Sequence, residues 1–289
     1  MGKVTRRAAL GAAGVVVAAA VGVRLSADDE PPPLADWLFA GRVEGPLPVD
    51  DPGDGRWADR EIRVPLLPQN AAAPGKAAVS VPELTVSALH DGSELGLRMA
   101  WTDPDCDDRV ALARYQDAVA VQLPARSGTR PPITMGGPGA PVHLLQWRAA
   151  WQRHLDDGGA GVEAIYPRVV RDLDATELLG ERAGALQSPG YAVGNPMSAR
   201  ERTAAVEEAV AEGFGSLTHL PRQRARGRGA WADGGWRVCV ALPLDRRPEA
   251  DPIGPGVAVP VAFAVWAGGA GDRGGRKQYA DWINLQLAA

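Results

Sequence analysis

Two residues far apart in the chain carry side chains that could hold a redox metal. Met135 closes the short apolar run Ile133-Thr134-Met135 and is followed at once by the loop Gly136-Gly137-Pro138-Gly139-Ala140-Pro141. A thioether is a soft donor, suited to iron in a haem, and glycines let a backbone approach a flat ligand closely. A Met beside a turn is also a routine filler of core gaps. Lys277 ends the glycine-rich stretch 268–277, immediately before the last strand-like run. An amine can ligate iron only after losing its proton, which takes burial and a metal, whereas most lysines are simply solvated. Three of the 31 basic residues are lysines (Lys3, Lys76 and Lys277), the rest being arginines. Where surface charge suffices this chain uses Arg, so a lysine marks a place where an amine that can be deprotonated is of use.

The remaining reactive residues are scattered. His143 lies eight positions after Met135 on a strand-like run and is a rival ligand. His90 begins a turn and His154 precedes Asp-Asp-Gly-Gly, so both read as exposed. The four histidines show no zinc spacing, and Cys106 and Cys239 form no metal motif; a disulfide between them is open, with two unpaired thiols the favoured reading. There is no nucleophile elbow, phosphate loop or dinucleotide fingerprint. Asp103, Asp105, Asp107 and Asp108 form an acidic cluster that is either a solvated loop or an oxygen site for Ca²⁺. The basic run at 222–228 is either a solvated loop or a docking surface for an acidic partner.

The elements that must position these residues read mostly as strands. Gly (35) and Pro (25) are abundant and long helical patterns are scarce. Segments 77–90 and 94–101 flank Asp91-Gly92-Ser93, and segments 229–231 and 236–244 flank Ala232-Asp233-Gly234-Gly235, each a hairpin signal. Further strands are expected at 61–67, 117–123, 142–151, 163–170, 257–266 and 279–287. One helix is expected from Ser198, with Glu201 completing a capping box and Ala205, Val206, Ala209 and Val210 on one face. The sum is an all-β fold: an antiparallel β-sandwich with one or two short helices and long loops.

The chain has 289 residues, 45% of them apolar, and a net charge of −4. That suffices for a large domain and gives no sign of a nucleic-acid surface. Residues 1–25, with Thr5-Arg6-Arg7-Ala8-Ala9-Leu10 ahead of an apolar run, read as a twin-arginine-like export signal or an uncleaved amino-terminal membrane anchor. Residues 26–57, acidic and proline-rich, read as a linker or extended arm, and 58–289 as the folded domain.

Five pieces together resemble a known family. They are Pro68-Gln69-Asn70; Trp101-Thr102-Asp103 leading to Tyr115-Gln116-Asp117-Ala118-Val119-Ala120-Val121-Gln122; Met135-Gly136 with Pro141-Val142 and Trp147; Gly213-Phe214-Gly215-Ser216-Leu217-Thr218 with Gly227-Arg228-Gly229 and Trp236; and Lys277 with Trp282. In this order the chain resembles the haem-b-binding gamma subunits of the ethylbenzene dehydrogenase type, which accompany molybdenum enzymes such as dimethylsulfide dehydrogenase and the selenate and chlorate reductases. The resemblance implies a β-sandwich holding one six-coordinate haem b between Met135 and Lys277, with Trp147 and Trp282 as pocket walls or core residues. It implies an electron-transfer subunit and not an enzyme. Single electrons would pass between the iron–sulfur beta subunit of a molybdopterin alpha-subunit complex and a cytochrome or similar carrier. The expected location is periplasmic or on the outer face of the cytoplasmic membrane. The chain departs from the family in carrying its own twin-arginine-like start. The contrasting expectation is an exported carbohydrate-binding β-sandwich without haem, its aromatics stacking on sugars.

Overall fold

The computed structural model describes residues 34–71, 75–157, 190, 193, 195, 202–245 and 250–288. Fourteen strands run through one hydrogen-bonded network: β1 (Trp37–Arg42), β2 (Ile62–Pro65), β3 (Leu67–Pro68), β4 (Glu83–His90), β5 (Glu94–Thr102), β6 (Ala118–Pro124), β7 (Val142–Arg148), β8 (Val206–Ala211), β9 (Thr218–His219), β10 (Arg226–Ala232), β11 (Gly235–Pro243), β12 (Val259–Trp266), β13 (Gln278–Tyr279) and β14 (Ile283–Leu287). The order is β10-β11-β5-β4-β1-β14-β12-β6-β7-β8-β9, with β2 on β4 and β13 between β12 and β3. The α-helix α1 (Ala149–Asp157) follows β7.

The network is a sandwich because β12 belongs to both layers. Its first residues, Val259–Val261, pair with β14, while Ala262–Trp266 pair with β6. The layer β10-β11-β5-β4-β1-β14 thereby turns over onto the layer β12-β6-β7-β8-β9. Period-two alternation assigns the faces. Val119, Val121 and Leu123 of β6, Leu145 and Trp147 of β7, and Val261 and Val265 of β12 point into the shared core with Leu97, Met99, Trp236 and Val238 of the other layer. Trp147 and Trp236 meet edge-on across the interface, their centroids 5.0 Å apart. Gly229 on β10 permits this: a Cβ there would come within 2.2 Å of the Trp147 ring.

Both expected hairpins form, β4–β5 and β10–β11, in full antiparallel register. The all-β sandwich expected from the sequence is present, with one addition: β1 pairs in parallel with both β14 and β4. It arises inside the stretch expected to be an extended arm. The helix expected from Ser198 is not formed where it can be seen. Val206–Ala211 is strand β8, pairing with β7 over six residues and with β9 beyond it. Ser198 and Glu201 lie outside the described residues, as does the strand expected at 163–170. Val206-Glu207-Glu208-Ala209-Val210-Ala211 satisfies either period in so short a run, and the ladder edge of β7 decides it by supplying backbone partners along all six residues on one side. The strand expected over 142–151 stops at Arg148 and becomes α1. Asp117 O accepts the Ala149 N–H at 3.0 Å and the Gln116 side chain accepts that of Ala150 at 2.9 Å, so two free amides of the first turn are capped from the β6 side.

Trp147 joins the layers, so Trp147→Ala is expected to lower the unfolding free energy by about 3–5 kcal/mol. A urea titration followed by far-ultraviolet circular dichroism measures it. A loss under about 1 kcal/mol would mean the ring is not a core residue.

Candidate cofactor site

The outer face of the β12-β6-β7-β8 layer is covered by loops, and between sheet and loops lies a cavity of about 450 Å³. That is within the range of sites for sizeable small molecules. Its floor is made by the side chains that alternate away from the core: Ala120 and Gln122 of β6, Leu144 and Gln146 of β7, Ala262 and Ala264 of β12. Three of these six are alanines, so the floor is low and flat over its centre.

One flank is the turn carrying Met135. Met135 has φ 67°, a left-handed conformation uncommon for a side-chain-bearing residue. Neighbours on both sides hold it there. Gly136 N–H donates to Pro132 O at 2.9 Å, Gly213 N–H to Met135 O at 2.8 Å, and the Gln122 side chain to Ile133 O at 3.2 Å. Gly136 follows with φ 77°, where a Cβ would sit 2.6 Å from Ala140 O, so only glycine serves. Strained backbone that the surroundings over-determine is a mark of functional positions. Behind the turn, Met135 and Ile133 pack on Trp282, Val142, Ala211 and Ala262. The Trp282 indole donates to Pro131 O at 3.0 Å.

The opposite flank is the loop between β12 and β13. Its start is fixed by Asp117, which accepts the Gly268 N–H at 2.8 Å, and its middle by the Trp266 indole, which donates to Gly274 O at 2.9 Å. Lys277, at its end, accepts the Gln69 N–H on its carbonyl at 3.0 Å. The Lys277 amine lies 4.9 Å from the centroid of the Trp266 ring, a cation–π distance. It makes no ion pair among the described residues, and burial pushes its pKa down from 10.5 to about 8. Met135 packs against Ala262 and Lys277 against Trp266, four residues apart on β12. At about 3.3 Å per residue the two flanks stand roughly 13 Å apart along the strand. Both side chains line the cavity that lies over this floor.

Phe214 and Leu217, both well exposed, cover a third side. The polar end holds Arg148, whose guanidinium bonds Glu207 at 2.5 Å and Gln146 at 2.8 Å; His219 also contacts Glu207.

The structure thus brings Met135 and Lys277 into one cavity. Trp282 supports Met135 from behind and does not line the space. Trp147 is a correction: it faces the core, because odd-numbered residues of β7 point inward and Leu144, Gln146 and Arg148 point to the cavity. The rival ligand His143 shares the inward face. It sits 3.5 Å from Glu208, and both are buried. Burial raises the Glu208 carboxyl, but His143 and the amides of Arg224 and Ala225 outweigh it and hold the group below its usual value. His90 is not exposed as expected: its ring is buried, with Nε2 2.9 Å from Ala288 O. Three arginines of the basic run are paired within the molecule, Arg224 to Asp245, Arg226 to Glu94 and Arg228 to Asp156. Cys106 and Cys239 are free thiols. Among the described residues no group of three or more His, Cys, Asp or Glu side chains is placed to hold a metal ion, the acidic cluster included.

Neither a histidine nor a cysteine lines the cavity. Its chemistry is a soft thioether, an amine that loses its proton easily, and an apolar, flat-floored space. Those are the properties a haem between two axial side chains requires, and the residues present fit that group.

A family model described as ethylbenzene dehydrogenase matches residues 54–278. The chain belongs to that family. The matched span runs from before β2 to the start of β13 and includes both Met135 and Lys277. A relative in Haloferax mediterranei, provisionally named a respiratory nitrate reductase heme subunit, is 25% identical over 226 residues. Those residues are 78% of this chain and 63% of the relative, so the chain spans less than two thirds of that protein's length. Among solved structures, a provisionally named carbohydrate-binding protein from Bacteroides uniformis is similar with a TM-score of 0.42 and 8% identity, covering 87% of this chain and 99% of that one. A family 9 carbohydrate-binding module from Caldicellulosiruptor kristjanssonii, in complex with glucose, gives 0.37 and 8%, covering 88% and 96%.

With three lysines in the chain, a ¹³C-lysine-labelled, cofactor-free sample is expected to show one side chain titrating near pH 8 and to lose that titration in Lys277→Ala. The folded value lies below the unfolded 10.5. The unfolded chain therefore holds more protons between the two, and stability should rise with pH from about 8 to about 10.5. A Lys277 titration above pH 10 would show the amine to be solvated.

Proposed function

We propose that this chain is an exported electron-transfer subunit that holds one haem b, with the Met135 sulfur and the Lys277 nitrogen as its two axial ligands. The observation that carries the reading is the convergence of these two side chains, 142 positions apart in the sequence, on the same flat-floored apolar cavity. Family membership and the relative's name support it. The b type is supported by the absence of a Cys-x-x-Cys-His attachment motif from the sequence and by the lack of any cysteine on the cavity wall.

When bound, the haem would supply one-electron chemistry at iron. The chain's own residues do the rest. Met135, a weak soft donor, would favour the reduced iron and raise its potential. Lys277 must be neutral to ligate, and the burial that depresses its proton affinity lowers the cost of giving that proton up. With Met135 and Lys277 both engaged, the bound group would carry single electrons and would take no small substrate. Ala120, Ala262 and Ala264 make room for a flat macrocycle, and Phe214 and Leu217 shield its edge from water. Arg148, at the polar end, can face carboxylate groups of the ligand.

The electron partners we propose are an iron–sulfur subunit of a molybdopterin oxidoreductase on one side and a cytochrome or similar carrier on the other. We place the assembly outside the cytoplasm, periplasmic or at the outer membrane face, on the twin-arginine-like residues 5–10. Among the described residues no helix is long and apolar enough to cross a membrane.

Protein produced with a haem supply is expected to be red and low-spin. Met135→Ala and Lys277→Ala should each convert the iron to high spin or release the haem. Unchanged absorption and electron paramagnetic resonance spectra in either variant would remove that residue from the assignment. Ala264→Trp, which fills the floor from within the sheet, is expected to cut haem occupancy at least tenfold while leaving the far-ultraviolet circular dichroism intact. Full occupancy in that variant would place the haem elsewhere, and a colourless wild-type protein would favour a module without haem.

A further inference from the structure

The second lysine of the folded region, Lys76, is buried, and so is Asp272, with which it pairs. The Lys76 amine lies 2.6 and 2.7 Å from the two Asp272 oxygens and donates to Ser80 Oγ at 2.6 Å. Asp272 sits inside the loop that carries Lys277 and touches both of its ends. Its Oδ2 accepts the Ala267 N–H at 3.1 Å, where the loop leaves β12, and the Gln278 side-chain N–H at 3.2 Å, directly after Lys277. Gln278 in turn donates to Val265 O at 3.2 Å and accepts the Ser80 N–H at 3.1 Å. A backbone relay runs beside this network: Lys76 N–H donates to Gln69 O at 2.9 Å, and Gln69 N–H donates to Lys277 O at 3.0 Å. Arg276, on the same loop, approaches the Asp272 carboxylate only to 3.8 Å.

A buried ion pair is a poor way to gain stability, since desolvation consumes most of the attraction. Its better use is to fix one geometry, because a network with every member satisfied has no second arrangement of comparable energy. Here the geometry fixed is the base of the loop whose last residue is Lys277. The loop is otherwise rich in glycine, with Gly268, Gly269, Gly271, Gly274 and Gly275, and would lose much conformational entropy in holding one amine over one point of the cavity.

We infer that Lys76 and Asp272 are positioning residues for the Lys277 amine: an internal ion-pair clamp that holds the loop closed so that this amine, and not water, faces the bound haem iron. The inference rests on the haem reading above. The clamp acts on ligation through the loop backbone and touches no part of the cofactor.

The test compares haem-loaded wild type with Lys277→Ala, Lys76→Met, Asp272→Asn and the double variant Lys76→Met/Asp272→Leu, reading spin state per bound haem together with thermal stability. If Lys277→Ala keeps the wild-type low-spin spectrum, the ligand assignment itself fails and the clamp fails with it. If Lys277→Ala becomes high-spin, the clamp predicts that Asp272→Asn and Lys76→Met place more than half of their bound haem in the high-spin state. The single variants leave one buried charge alone and lose stability; the double variant removes both charges and is expected to recover it. Stability that recovers while the iron stays high-spin identifies positioning. Spin state that recovers along with stability, or single variants that remain fully low-spin, overturns the clamp. Should Asp272→Asn not fold, Ser80→Ala removes one oxygen from the Lys76 ammonium without stranding a charge. A partial high-spin fraction then supports the clamp and a wild-type spectrum refutes it.

Discussion

A half-buried lysine amine that pairs with no carboxylate among the described residues is the constraint around which the site is built. Withdrawing an ammonium from water is costly unless it is paired or gives up its proton. Lys76 takes the first course, against Asp272. Lys277 has no such partner among the described residues: it faces an apolar space with the π-face of Trp266 nearby, and burial pushes its pKa down to about 8, so its proton is given up more readily. The two lysines belong to one polar assembly yet are treated in opposite ways, and that contrast separates the fixed base of the loop from its reactive tip. From residue 26 onward the chain writes its positive charge as arginine everywhere but at these two lysines.

The sandwich makes such a cavity available by dividing each strand between two tasks. On β6, β7 and β12 the inward residues are large and interlock with the other layer through Trp147, Trp236, Phe263 and their neighbours. The outward residues of the same strands include three alanines, Ala120 on β6 and Ala262 and Ala264 on β12, beside Gln122, Leu144 and Gln146. Side chains as short as alanine leave room between the sheet and the covering loops. Met135 and Lys277 arrive from loops at its two ends. The left-handed backbone at Met135 and the glycine after it show how tightly that end is specified.

Much of this was legible in the chain itself. The two hairpins declare themselves through Asp91-Gly92-Ser93 and Ala232-Asp233-Gly234-Gly235, because those turns need residues that tolerate positive φ. Met135 and Lys277 stand out because a soft donor and a rare amine each adjoin glycine-rich backbone. What stayed hidden depended on contacts across the fold. The Val206–Ala211 segment carries a helical pattern, and only the waiting edge of β7 makes it a strand. Trp147 looks like a cavity wall from its position after the Met135 loop, yet a single step of alternation turns it to the core. His90 reads as a turn residue until the chain's last strand brings Ala288 to its ring. Lys76 shows no local sign of its partner, 196 residues away. Its scarcity was the one available signal.

Family membership and geometry bear on different questions. The match over residues 54–278 says what kind of chain this is. The cavity brings together the two side chains, Met135 and Lys277, on which the proposed haem site rests. Iron K-edge X-ray absorption on the haem-loaded protein addresses those atoms most directly. The account predicts a first shell of five nitrogens and one sulfur, with the sulfur lost in Met135→Ala. A wild-type shell containing only nitrogen and oxygen, or a sulfur that survives in Met135→Ala, would contradict it.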